Sequence, residues 1–158
     1  MNNMNNIEII NGDICNSDTQ YIAHQCNCVT NYGKGLSKTL FSKYPYSDIY
    51  ICRTKYKDTN DIPGTIVVRG DGINNRFVIN MLSQFYPGKA RYYNDTIEKR
   101  REWFWECLYK ISQIPNITSI SFPHNIGCGL AGGNWNEYFT MIQCFSNYSG
   151  ITVKIYKI

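Results

Sequence analysis

Between Tyr21 and Phe41 an apolar run, a polar loop with two closely spaced glycines and a helical apolar repeat follow one another, and no other stretch constrains the chain as much. Tyr21, Ile22 and Ala23 read as the body of a strand, and Leu36, Leu40 and Phe41 recur at helical spacing. Between them lie His24, Gln25, Cys26, Asn27 and Cys28, then Gly33, Lys34 and Gly35. A strand, a glycine turn and a helix start present amides of the turn and of the first helical turn to one point, where the helix dipole also favours an anion. Phosphate is the default ligand. The spacing matches neither the dinucleotide fingerprint nor a P-loop, because Lys34 lies between the glycines and no Ser or Thr follows it directly. Many glycine turns bind nothing, so this stretch alone does not establish a site.

The rest of the chain alternates strands with helices. Residues 7–10, 21–25, 65–69, 76–82, 117–122 and 151–155 read as six strands, with 65–69 and 76–82 joined as a hairpin and apolar enough for burial on both faces. Helices are expected from Gly35 to just before Pro45, over 46–56, from a cap at Asp95 to about 113, and over 135–146. Ile97, Phe104, Trp105, Leu108 and Ile111 would form the inner side of the third. A second glycine-rich loop, from His124 to Asn134, follows a strand and precedes a helix as the first does. The class is α/β: a single three-layer α/β/α domain with a mixed sheet of about six strands, covering 7–158 behind a disordered tail at 1–6. Both glycine loops then fall at the carboxyl edge of the sheet, where such folds bind ligands, and two phosphate-grade loops suit a diphosphate.

At 158 residues one core suffices, and it buries roughly two-thirds of the unfolded surface. No apolar run is long enough for a membrane span, and the Asn-rich start lacks the basic and apolar regions of a signal peptide. Seven cysteines without such a signal point to a reducing, cytoplasmic compartment, the nucleus included, with Cys15, Cys52, Cys107 and Cys144 in core or near-core segments. The net charge of +4 suits an anionic small molecule and does not by itself indicate nucleic acid.

Gly12-Asp13-Ile14 after the first strand, the His24 to Cys28 run with Gly33-Lys34-Gly35, the segment from Ile126 to Gly133 ahead of Trp135, and a last strand running from Ile151 to Tyr156 together resemble a macrodomain. The likeness spans essentially the whole chain. Within that family the His24 run, with Tyr44-Pro45 beyond the helix, is most similar to the fungal ADP-ribose-1''-phosphate phosphatases. The Gly127 to Leu130 segment is shared with relatives that cut terminal ADP-ribose from protein carboxylates. The resemblance implies an ADP-ribose ligand. Asp13 would accept from the adenine amino group with the Ile14 amide beside it. Amides from Gly33, Lys34, Gly35 and Leu36, and from Gly127, Cys128, Gly129, Leu130, Ala131, Gly132 and Gly133, would hold the diphosphate, and Asn27 would face the distal ribose. His24 would be catalytic, with Asn27 orienting ribose or water. No metal or other cofactor is implied.

Where the carboxylate-directed hydrolases carry a lysine and an aspartate, this chain has Gln84 and Ala131, so a covalent sugar adduct on an amine is not available. The expected activity is therefore release of the 1''-phosphate. A non-catalytic reader of ADP-ribose, free or on an ADP-ribosylated protein, and a hydrolase of ADP-ribosyl or O-acetyl-ADP-ribose esters are the alternatives. Without the resemblance, His24 reads as a structural residue at a strand end, Asp13 as a turn closer, and Tyr86, Tyr92 and Tyr93 as a loop packed by its own aromatics or one that closes over ligand. A zinc site from His24, Cys26 and Cys28 with Cys128 or His124 is disfavoured, because Cys-x-Cys is not the usual half-site. Lys99, Arg100 and Arg101, with Arg91, read as a solvated face before a nucleic-acid contact. The chain is expected to be monomeric.

Overall fold

The computed structural model describes residues 6–53 and 61–158. Residues 1–5 of the expected tail lie outside that range. Strands β1 (Ile7–Asn11), β2 (Tyr21–Cys26), β3 (Thr65–Arg69), β4 (Phe77–Leu82), β5 (Ser119–Pro123) and β6 (Thr152–Lys157) alternate with helices α1 (Leu36–Lys43), α2 (Ile97–Ser112) and α3 (Trp135–Ser149). They form one sheet in the order β1-β6-β5-β2-β4-β3. All neighbours run parallel except β3, which pairs antiparallel with β4.

Strand alternation sorts the core into two faces. Tyr21, Ala23, Ile79, Met81, Ile120 and Phe122 meet Phe104, Leu108 and Ile111 of α2 and Ile142 and Phe145 of α3 in one cluster. On the opposite face Ile22 packs with Leu40 of α1 and Ile14, while Cys26 and Leu82 pack with Phe41, Ile49 and Tyr50. The result is the three-layer α/β/α arrangement expected, with the mixed six-stranded sheet.

Several local expectations fail. The helix expected over 46–56 does not form in its described part: a 3-10 turn, Pro45–Ser47, is followed by a bend. There the Asp48 carboxylate accepts from the Tyr50 and Ile51 amides at 2.8 and 3.2 Å and so competes with helical bonding. Asp95 does not cap α2. Thr96 does, accepting from the Lys99 amide at 3.1 Å, and Asp95 is fully buried. The buried stripe of α2 is Arg100, Phe104, Cys107, Leu108 and Ile111, whereas Ile97 and Trp105 are exposed; Arg100 therefore leaves the solvated run in which the sequence placed it. Strand β3 is an edge strand, only half-covered, and Cys52 and Cys144 are exposed while Cys15 and Cys107 are buried.

Candidate functional site

Because β1, β5, β2 and β4 are parallel, their carboxyl ends open on one edge of the sheet. With about 4.8 Å between strands, the four steps from β1 to β4 span about 19 Å, room for an extended dinucleotide-sized ligand. Over β2 and β4 this edge deepens into a cavity of about 450 Å³. Asn27, Thr30, Lys34, Ser37 and Tyr50 line it from the β2 side, Gln84, Lys89 and Arg91 from the segment after β4, and Leu130 and Ala131 from the loop after β5. Among the described residues that line it there is no carboxylate, and none of Lys34, Lys89 and Arg91 is in an ion pair with a described residue.

The loop after β2 is built on Asn27. Its Oδ1 accepts from the Val29 and Thr30 amides at 3.0 and 2.9 Å and from the Thr30 hydroxyl at 3.1 Å, while its own amide donates to the Tyr50 hydroxyl at 2.8 Å. Arg53 completes the hub: it donates to the Asn27 and Thr30 carbonyls at 2.8 and 3.1 Å, lies over the Tyr50 ring, and pairs with Asp61. The Asn27 Nδ2 has no acceptor among the described residues and stays available to the cavity. Further on, Gly33 sits where a Cβ would come within 2.9 Å of the Lys38 amide nitrogen, so its glycine allows the loop to close on α1. Gly35, at φ 55°, turns into the helix without a side-chain cap. The amides of Leu36, Ser37 and Lys38 are left without acceptors among the described residues.

The loop after β5 uses part of its own hydrogen-bonding capacity internally. The Cys128, Gly132 and Gly133 amides donate to the Asn125, Gly129 and Gly127 carbonyls, which leaves those of Gly129, Leu130 and Ala131 without described acceptors. Gly127, at φ 75°, lies against Tyr138, whose Cε2 a Cβ would approach to 2.6 Å. Arg100 reaches this loop from α2, donating to the Ala131 carbonyl at 3.3 Å, to Gly88 at 2.6 Å and to Tyr86 at 3.1 Å, and it pairs through Nε with Asp95 at 2.6 Å. Asp95 in turn accepts from the Phe85 and Tyr86 amides at 3.2 and 2.8 Å. One buried ion pair thus ties the segment after β4 to the loop after β5. Tyr86 and Tyr92 pack on each other at 4.5 Å, while Tyr93 is exposed.

His24 is buried behind the cavity wall and does not line it. Its Nε2 lies 2.6 Å from Asn80 Oδ1 and its Nδ1 lies 3.1 Å from Ser37 Oγ. Burial pushes the imidazole down to about 4, against the opposing effects of the Asn80 hydrogen bond and the Asp48 charge. Cys26 Sγ is 3.5 Å from the ring, with its thiol pushed up by burial. Among the described residues no three His, Cys, Asp or Glu side chains are placed to hold a metal ion.

Of the residues singled out in the sequence, Asn27, Lys34, Leu130 and Ala131 line the cavity, and Gly33 and Gly35 line an adjoining shallow hollow. Asp13 stands at the end of β1, its Oδ1 accepting from the Cys15 amide at 2.9 Å, with Ile14 buried beside it. Gln84, in place of a lysine, has its amide engaged at both ends, by Gln25 at 2.6 Å and Tyr86 at 2.8 Å. Cys128 is half-buried, its thiol raised to about 11 by burial and the Glu137 charge. Sequence reasoning missed Ser37, Arg53, Asn80, Lys89 and Arg100. Two carried a signal: Asn80 interrupts the apolar run of β4, and Arg100 falls four residues before Phe104 on the same stripe.

No family model matches the chain, and no curated protein matches it. Solved structures do. A protein of unknown function from Bacteroides thetaiotaomicron aligns with a TM-score of 0.75 at 25% identity, over 96% of this chain and 98% of that one. The macrodomain of Thermus aquaticus DarG aligns with 0.72 at 20%, over 96% and 98%. A mutant Oceanobacillus iheyensis macrodomain with ADPR aligns with 0.60 at 19%, over 95% and 83%. The chain has the macrodomain fold.

Proposed function

We propose that this chain binds an ADP-ribose derivative along the strand-end edge and hydrolyses the phosphate from the 1'' position of its distal ribose. The observation that carries the reading is the cavity beside Asn27, where Lys34, Lys89 and Arg91 stand without acidic partners among the described residues and no described carboxylate intervenes. Such a surface favours a ligand with more negative charge at its distal end than ADP-ribose itself. The fold supports the nucleotide part, since a structure of the same fold contains ADPR. In this reading the Asp13 carboxylate takes the adenine amino group, and the amides of Leu36 to Lys38 and of Gly129 to Ala131 hold the diphosphate. Asn27 Nδ2 donates to the distal ribose, and the three cations offset charge as the P–O bond breaks. His24, neutral through burial, is the proton acceptor.

Purified protein in the presence of a chelator is expected to release inorganic phosphate from ADP-ribose 1''-phosphate. His24→Ala is expected to abolish release while calorimetry still shows one ADP-ribose bound per chain. Binding without release by the wild type would leave a non-catalytic reader, and release of ADP-ribose from a modified carboxylate would point to ester hydrolysis. AMP, which lacks the second phosphate and distal ribose, should bind more weakly; equal affinity would remove the extended-ligand assignment. Because Asp13 also holds the turn after β1, Asp13→Asn separates its two roles: the cap is kept, and ADP-ribose affinity falls by about 1–3 kcal/mol.

A further inference from the structure

We propose that Ser37 is the nucleophile of the cavity, with His24 as its base and Asn80 as the group that orients the imidazole. The inference rests on the reading of this cavity as the seat of the terminal phosphate.

The hydrogen-bond chain has one direction. Asn80 Nδ2 donates to the Ser47 and Val67 carbonyls at 3.1 and 3.2 Å, which fixes the atom facing His24 as the amide oxygen. An amide oxygen only accepts, so the His24 Nε2 at 2.6 Å carries the ring proton, and Nδ1 of the neutral ring is an acceptor. Ser37 Oγ, 3.1 Å from Nδ1, therefore donates to it. The lone pairs of Oγ are left to the cavity, which Ser37 lines and His24 does not. Hydroxyl, imidazole and orienting oxygen stand in the order of an activated nucleophile, its base and the support of that base. Of the other hydroxyls on the wall, Thr30 donates to Asn27, Tyr50 accepts from the Asn27 amide, and that of Tyr32 is exposed with no hydrogen-bonded base among the described residues.

The position of Ser37 adds to its reactivity. It lies in the first turn of α1, where the positive end of the helix dipole favours an Oγ losing its proton. Around the ring stand Phe41, edge-on at 5.3 Å, the Cys26 thiol and, farther off, the Asp48 charge. Burial keeps the imidazole neutral, and a dianionic phosphate in the cavity favours the imidazolium that forms.

In the first step Oγ attacks phosphorus and its proton passes to Nδ1. The P–O1'' bond breaks with its electron pair on O1'', which is protonated by water. In the second, water attacks the phosphoserine and loses a proton to solvent, Oγ takes its proton back from His24, and inorganic phosphate leaves. The sum is hydrolysis of one ester by one water.

Two measurements test this. Ser37→Ala should slow phosphate release from ADP-ribose 1''-phosphate at least about a hundredfold while ADP-ribose binding stays within about threefold. Separately, a fluorophosphonate, which loses fluoride to an activated serine, should leave an adduct that peptide mass spectrometry places on Ser37. That adduct should be suppressed by saturating ADP-ribose and lost in His24→Gln. Release by Ser37→Ala at a rate near wild type would overturn the proposal and leave the phosphatase reading standing. If the wild type releases no phosphate, that reading falls and the adduct alone decides: labelled Ser37 keeps the nucleophile, and unlabelled Ser37 overturns it.

Discussion

The loops after β2 and β5 rise from neighbouring parallel strands at the same edge, and each is pinned by an arginine, yet the two pins differ in kind. Arg53 holds the first loop mainly through backbone carbonyls, and the side chain of its partner Asp61 is 28% exposed. Arg100 and Asp95, which hold the second loop and the segment after β4, are 2% and 0% exposed. A charge with no access to water cannot be left alone, so loss of either member acts on the whole fold. A charge at the rim can rehydrate, so loss of its partner acts on the loop. The two sides of the cavity are therefore expected to answer the same perturbation with different observables.

The largest effect should follow Arg100→Met, which strands the Asp95 carboxylate: a loss of about 3–5 kcal/mol in urea unfolding. The double variant with Asp95→Asn should recover part of it, and a single variant as stable as wild type would break the contrast. Next comes acid. The unfolded His24 titrates near 6.5 and the folded one at about 4, so between these values the unfolded chain binds more protons. The stability from its neutral burial is complete above pH 6.5 and is lost as pH falls toward 4, amounting to roughly 3 kcal/mol. His24→Gln should lack that component, and hydrogen exchange at pH 4.5 should rise first in β2 and its loop. Equal protection in the two loops would remove the asymmetry.

Arg53→Met should cost less, about 1–2 kcal/mol, because Asp61 keeps water, but it releases the Thr30 carbonyl and loosens Asn27. Its ADP-ribose affinity should fall more than its stability, the reverse of Arg100→Met. Smallest is Thr96→Ala, which removes the cap of α2 ahead of Arg100 and should cost about 1 kcal/mol without changing affinity.

What the sequence made legible was whatever repeats or punctuates. Strand periodicity located all six strands, and the macrodomain resemblance singled out Asn27, Lys34, Leu130 and Ala131, which line the cavity. What it hid was where single charges point. Arg100 sits between two other cations, and only its register with Phe104 and Leu108 reveals that it faces inward. Asp95 and Thr96 are adjacent cap-type residues, and the choice between them was decided by a buried partner five residues ahead. Asp48 turned an expected helix into a bend through its own side chain, a local competition that apolar spacing does not register. Ser37 looked like one more polar residue in a helix start, because its partner His24 is thirteen residues away and meets it only after α1 folds back on β2.

The strand order also dictates when the site can exist during synthesis. Asp13 is translated ahead of the loops after β2 and β5, but among the described strands β1 joins the sheet only through β6, which lies between β1 and β5 and is translated after both loops. Until residues 152–157 emerge and insert, Asp13, the proposed adenine-side acceptor, has no fixed distance to the loops after β5 and β2. Ligand therefore has nothing complete to hold on a growing chain, and it can favour the native state only once the gap between β1 and β5 has been filled.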